Sequence, residues 1–420
     1  MRRHAVAIAV VAVLGLQSCL STNLAKIGSE ATFAPEDDER QLWSAARAAE
    51  DKVLPPAAEY RDPALETYLD GIVARLLPPT YAQAGGPPIR IRVRRDPRLN
   101  ASAMPHGTII IDTSIVARAE NEAQVAGVLG HELSHITNRH SIREARTIKN
   151  RQNAITTAAI LGTLALAVVA ADQANRGNYG TAQAVANVAP TVLDFGLRLT
   201  YTAMVNGYSR DSETEADEEG LRRMAGAGYD PYQMGAFFRK LLSDSPDAGP
   251  FETFFYGSHP RTIERIQTVE RLVPQLPVNV ITAATTSDAV DFNQRTRNVR
   301  MQNAWFDAHA GRLTLARAQM SRVVETFPTA ARPAAASFLE GNIYAAQSYG
   351  LAKRGDLAHA NTAIGRAEVE YRRAMATAPA LTADGNRALG SLYHGQRDVI
   401  HRDCRSLSIG MRQSVLEFSE

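Results

Sequence analysis

Two cysteines in 420 residues, Cys19 and Cys404, cannot build a disulfide framework, so the chain has to bury its core by size alone, which its length allows. Charge of one sign is just as scarce. A formal net charge of +2, from 46 basic and 44 acidic side chains, excludes bulk nucleic-acid binding, and no segment reads as a basic groove. Long hydrophobic runs are few: Ala5 to Leu16 is too short to span a bilayer comfortably, and Ala154 to Ala171 only reaches the lower limit. The rest, 45% hydrophobic and 21% charged overall, has the make-up of an ordinary globular chain.

What is present is concentrated at His131-Glu132-Leu133-Ser134-His135. In a helix, this H-E-x-x-H spacing puts two imidazoles one turn apart on one face, so both rings reach one ion and supply two of the three protein ligands of a catalytic Zn²⁺. Glu132 is displaced around the helix from that face, as suits the base that takes a proton from the attacking water. Upstream, Glu120 to Gly130 reads as the start of the same helix, with Val125, Val128 and Leu129 forming an apolar stripe whose burial fixes the ligands on a rigid scaffold. The third ligand has to come from elsewhere. Tyr208 to Asp217 offers it: Glu213 and Asp217 lie four apart on one helical face, which suits a ligand followed by an acceptor for a histidine N–H. Taken alone, the same acidic run also fits a solvated helix face carrying negative charge near its N-terminus.

Together with Asn100-Ala101, the strand Thr108-Ile109-Ile110-Ile111-Asp112, the trailing Arg139-His140, Ser209-Arg210 and Ser258-His259-Pro260, these blocks resemble the zinc metallopeptidase family that includes HtpX, the CAAX prenyl protease and BepA. The resemblance implies a mainly α fold: a gluzincin-type helical metallopeptidase core with a small β-sheet. It implies one Zn²⁺ per chain on His131, His135 and Glu213, with Glu132 as general base. Family sheets carry an edge strand that pairs with the substrate backbone, here Thr108 to Asp112, with Asn100 on the rim. Relatives usually show a proline and two glycines where this chain has Met104-Pro105-His106-Gly107, and His106 reads as a loop residue. By the same likeness, the histidine of the Ser/Thr-His-Pro motif can occupy the fourth position of the metal, so His259 is read as a gate. Capping of the helix of Ile263, Ile266 and Val269, or stabilisation of the tetrahedral intermediate, are the other roles open to it. His140 is expected beside the ligands, and Arg210 is expected to brace the second ligand helix or to polarise a substrate carbonyl.

The N-terminus bears on location. Met1-Arg2-Arg3-His4 is a short basic stretch, Ala5 to Leu16 an apolar one, and small residues follow, the pattern of an export signal. Leu16-Gln17-Ser18-Cys19 resembles the bacterial lipobox, which implies cleavage before Cys19 and a lipid on its thiol. Leu20 in place of aspartate favours the periplasmic face of the outer membrane, with a soluble periplasmic or inner-membrane-associated protein as the alternative.

The expected organisation is a signal peptide over 1–18, a polar acidic tether over 19–40, a peptidase domain over 41–275, a linker over 276–300 and a helical domain over 301–420. Gln41 to Lys52 and Pro63 to Leu77 have helical spacing, and Ile89 to Arg94 alternates as a half-buried strand with its arginines turned to solvent. Ala154 to Ala171 reads as a hydrophobic helix packed on the domain or resting on a membrane surface, with a membrane span, as relatives have around this region, as the alternative, and Asp172 to Asn187 reads as a mobile connector. Ala318 to Ala346 and Tyr371 to Gln396 share a helix-turn-helix outline that resembles degenerate tetratricopeptide repeats, spaced wider than usual by Lys353 to Thr362. His309, His359, His394 and His401 read as surface residues of these helices.

Two functions fit. One is a zinc endopeptidase of the bacterial envelope acting on misfolded or unassembled polypeptides. The other is a chaperone-like assembly factor with a latent metal site, in which residues 301–420 engage an outer-membrane assembly machine. An intact Glu132 favours the first, because a binding protein has no use for a general base there.

Overall fold

A computed structural model describes residues 20–29, 32–152, 208–248, 262–276, 289–328 and 332–398. Cys19 and the signal segment, Ala154 to Ala171, the connector to Asn187, His259 and His401 lie outside the described residues. Among the described residues no helix is long and apolar enough to cross a membrane.

The chain opens with helix α1 (Asp37–Val53) and α2 (Pro63–Leu76). The start of α2 is fixed by Pro63 in the first turn and by the Asp62 carboxylate, which accepts from the amides of Ala64 and Leu65. Leu65, Leu69, Ile72, Val73 and Leu76 form its buried stripe, and a short α3 (Pro79–Ala84) follows the proline stop. Three strands come next: β1 (Arg90–Arg94), β2 (Ala101–Ala103) and β3 (Thr108–Asp112). Their order is β1-β3-β2, with β3 parallel to β1 and antiparallel to β2.

This order corrects the expectation that Thr108 to Asp112 is the edge strand. Ile109, Ile110 and Ile111 are flanked on both sides and all five residues of β3 are buried, so β3 has no free edge for a substrate. Among the described residues the last strand on the side of the ligand helix is β2, and Asn100 extends its pairing with β3 by accepting from the Asp112 amide through its carbonyl.

The arginines of β1 also behave differently from a solvated face. Arg92 reaches Glu50 of α1 and Glu59, and Arg94 makes a two-point contact with Asp112. The reason is that α1 lies over that side of the sheet and presents Glu50 to it. His106 joins the same cluster: its Nε2 lies 2.7 Å from Glu50, and the residue is buried rather than looped into solvent. The histidine at that position therefore anchors the β2–β3 turn to α1. The turn itself needs its glycine, because Gly107 has φ +105° and an added Cβ would come 2.3 Å from the Pro88 carbonyl oxygen.

Beyond the sheet, α4 (Thr113–Arg118) leads to α5 (Glu122–Thr137), residues 140–152 are helical (α6), and α7 (Arg210–Gly226), α8 (Tyr232–Ala248) and α9 (Thr262–Leu272) complete the first body. One apolar core joins α2, the sheet, α4, α5, α7, α8 and α9.

Two departures from the expected domain limits have physical causes. Residues 20–29 and α1 are packed on the body rather than forming a tether, since buried Arg139 and Arg146 draw the carboxylates of Glu39, Asp38 and Glu36 onto it. The presumed linker also contains most of α10 (Ala289–His309), whose Phe292 and Val299 enter the main core. Buried Arg300 donates to the carbonyls of Ala117 and Ala119 at the end of α4, satisfying acceptors that the helix leaves open.

From α10 the chain continues as α11 (Leu313–Glu325), α12 (Ala334–Lys353), α13 (Leu357–Thr377) and α14 (Thr382–Asp398). The closest-packed pairs are α10 with α11 and α12 with α13, the second joined by a tight turn around Gly355, φ +83°, rather than the expected units of α11 with α12 and α13 with α14. His309, His359 and His394 are exposed on these helices. Replacing Gly107 with alanine is expected to cost about 2 kcal/mol or more, from the φ and the carbonyl clash together. An unchanged denaturation midpoint for that variant would contradict this.

Candidate metal centre

The centre is made where α5 crosses α7. Asn121 caps α5 by accepting from the Gln124 amide, and every residue of the helix is buried. At the crossing Gly130 faces Gly220. A Cβ on Gly220 would lie 3.1 Å from the His131 amide nitrogen, and one on Gly130 would lie 3.3 Å from the Gly220 oxygen. Two glycines thus let the backbones touch, and side chains one residue or two turns away can converge on a single point.

His131, His135 and Glu213 converge there, one donor atom from each lying within 4.8 Å of the others, and all three are buried. The two Nε2 atoms are 3.0 Å apart, and Glu213 places its carboxylate oxygens 3.5 Å from His131 Nε2 and 3.4 Å from His135 Nε2. A tetrahedral Zn²⁺ bonded to nitrogen and oxygen at about 2.0–2.2 Å holds neighbouring donors about 3.3–3.6 Å apart, so the two Glu213 distances match the ion and the imidazole pair has to open by only a few tenths of an ångström. Two imidazole nitrogens facing each other so closely need something between their lone pairs, either an N–H proton on one of them or a metal ion.

Each ligand ring is oriented from behind. Asp217 lies 2.8 Å from His131 Nδ1 and is the acceptor for its proton, which leaves Nε2 free to ligate. Arg265 of α9, itself buried, makes a two-point contact with Asp217 at 2.6 and 3.0 Å and stacks over Phe238. On the other ring, His135 Nδ1 meets His140 Nδ1 at 2.8 Å, and His140 Nε2 lies 3.2 Å from Glu215. One proton assignment satisfies this row: His135 Nδ1–H donates to His140, and His140 Nε2–H donates to the carboxylate. Tyr208 stacks on His135 with ring centroids 3.9 Å apart, and its hydroxyl meets Ser141.

Charge follows the same geometry. Burial opposes protonation of His131, as does Arg265, yet Asp217 and Glu213 outweigh them and push it up to about 9. Burial drives His135 well below its ordinary value, so that ring is neutral. Glu132 is buried beside the ligands and its charge is felt at both Tyr208 and Arg265.

The sequence-derived residues His131, Glu132, His135, Glu213, Asp217 and His140 are therefore together in one place. Arg210 is not with them: it opens α7 on the exposed side, and the guanidinium that braces the second ligand helix is Arg265. The apolar spacing of α9 concealed Arg265, because Ile263 is exposed and the arginine occupies the inward face with Ile266 and Val269. Tyr208 and Glu215 were also missed as partners of His135 and His140.

A buried H-E-x-x-H helix crossing a Glu-x-x-x-Asp helix, with a small sheet alongside, defines a zinc-metallopeptidase centre. Peptidase family M48 matches residues 63–273, and the chain belongs to that family. It is 30% identical over 183 residues to the putative beta-barrel assembly-enhancing protease of Vibrio cholerae, a match covering 44% of this chain and 34% of that protein. It is 27% identical over 236 residues to the mitochondrial metalloendopeptidase OMA1 of Schizosaccharomyces pombe, covering 55% of this chain and 62% of that one. The metalloprotease YcaL of Escherichia coli is 27% identical over 184 residues, covering 44% of this chain and 62% of YcaL. The chain thus spans about a third of the assembly-enhancing protease it matches.

The raised His131 sets a pH dependence. Below about 9 that ring carries a proton which zinc has to expel, so binding is weaker at lower pH. Zinc affinity measured by chelator competition is expected to rise through the neutral range, by up to about tenfold per pH unit for the one proton released. A flat profile between roughly pH 6 and 8 would contradict it.

Proposed function

We propose that this chain is a zinc-dependent endopeptidase of the bacterial cell envelope that cuts misfolded or unassembled polypeptides. The observation that carries the reading is the complete set of parts in one buried place: three donors, a general base between two of them, and a braced partner behind each histidine. Zinc bound there supplies Lewis acidity to a carbonyl and lowers the pKa of water. The chain's own residues do the rest. Glu132 takes the proton of the attacking water and returns it to the leaving amine. Asp217 and Arg265 keep His131 directed at its donor position, and His140 with Glu215 does the same for His135.

The envelope setting and the clients rest on the export signal, the lipobox at Leu16 to Cys19 and the names of the assembly-enhancing relatives. In this reading the helices of residues 301–420 recruit unfolded polypeptides or an outer-membrane assembly machine, and the lipid on Cys19 holds the enzyme at the periplasmic face of the outer membrane.

Glu132→Gln is expected to keep zinc and lower peptide hydrolysis by about 10²- to 10⁴-fold, whereas Glu213→Ala loses the metal. Elemental analysis and cleavage of an unfolded model protein check both. Full function of Glu132→Gln in cells would move the role to chaperone-like assembly. Cys19→Ser is expected to abolish lipid labelling and membrane fractionation; identical fractionation with no lipid label in either wild type or variant would instead mean that the chain is soluble after export.

A further inference from the structure

Residues 20–29 lie as a strap over the end of α5 and along α6. The Ile27 amide donates to Thr137 O at 2.8 Å, two residues after His135. Arg146 donates to Ser21 O at 2.8 Å, and Asn150 exchanges two hydrogen bonds with the backbone of Leu20. The Ile27 side chain is buried beside Tyr81 and Gly86.

Two of these attachments lead to a metal donor. Lys26 reaches across to α7, 3.3 Å from Glu215 Oε1, while Glu215 Oε2 meets His140 Nε2 and Arg143. His140 in turn contacts His135 Nδ1. The second route is the turn between α5 and α6. Arg139 there has φ +58°, a left-handed conformation that costs a side-chain-bearing residue about 1–2 kcal/mol. It is held by Glu39 of α1 and by Ala25 O of the strap, and the turn sets how His140 meets His135.

We propose that the N-terminal strap is a positioning element of the metal centre. It holds Glu215 through Lys26 and the Arg139 turn through Ala25, and so keeps His140 against His135 and fixes that ligand's tautomer and direction. The proposal rests on His135 being a zinc ligand. Lys26 alone contributes little, since its ammonium is part exposed, and the turn carries more.

The test uses the full chain loaded with Zn²⁺ or Co²⁺. Lys26→Ala combined with Arg139→Gly, which tolerates the positive φ while removing both contacts of the arginine, is expected to weaken zinc binding about tenfold, as is Glu215→Gln. The visible Co²⁺ bands are expected to shift in both. Lys26→Arg is expected to match wild type, as is Arg40→Ala, which breaks only exposed contacts with Asp37 and the Pro35 carbonyl on the same N-terminal segment. His135→Ala separates the two ideas: if it binds zinc like wild type, the ligand assignment falls and the proposal with it. If His135→Ala loses zinc while the strap variants keep wild-type affinity and Co²⁺ bands, the ligand assignment stands and the strap has no positioning role. Circular dichroism on every variant, and Lys26→Ala alone, which leaves the core untouched, keep a folding defect from imitating the result.

Discussion

The contact of Gly130 with Gly220 is the constraint on which the centre depends. Glycine inside a helix costs about 1 kcal/mol relative to alanine, so two of them at one crossing need a reason. The reason is reach. A glutamate is long enough to meet a histidine pair on a neighbouring helix only if the two backbones are in contact. Bulkier residues at 130 and 220 would hold Glu213 and Asp217 away from His131 and His135. The same closeness excludes solvent from the ligands, so each ring's proton has to be placed by a specific partner. Asp217 with Arg265 does this on one side, and His140 with Glu215 on the other.

Much of this was legible because it is local. Four-residue spacings place His131 with His135 and Glu213 with Asp217 whatever the tertiary structure, and Asn121 and Ser209 mark where their helices begin. What escaped depends on contacts between distant segments. Arg265 looks like one more surface arginine until α9 is rotated by the burial of Ile266 and Val269. Glu215 shares no face with Glu213, and acquires meaning only when α6 arrives with His140. The acidic stretch before residue 40 has the composition of a free tether, yet its carboxylates answer arginines a hundred residues away. The misplacement of β3 has the same origin. An unbroken apolar run, Ile109-Ile110-Ile111, marks a strand buried on both faces, and its place between β1 and β2 depends on pairing with segments that its own residues do not specify.

Integration of the C-terminal helices follows the same logic of buried polar groups with assigned partners. Asp307 is fully buried and accepts from Arg312, Asn303 and Gln319, while Arg300 closes the carbonyl end of α4. Breaking such a network leaves uncompensated charge, so α10 and α11 cannot swing away cheaply.

The hydrogen bonds between Leu20 and Asn150 have a consequence for working distance. They remove the slack that a polar leader would have supplied. With a lipid on the preceding residue, as proposed, the catalytic body would ride directly on the bilayer surface with no leash to pay out. Its range would then be set by lateral diffusion in two dimensions, and only polypeptides lingering within a molecular diameter of the membrane would come under the blade.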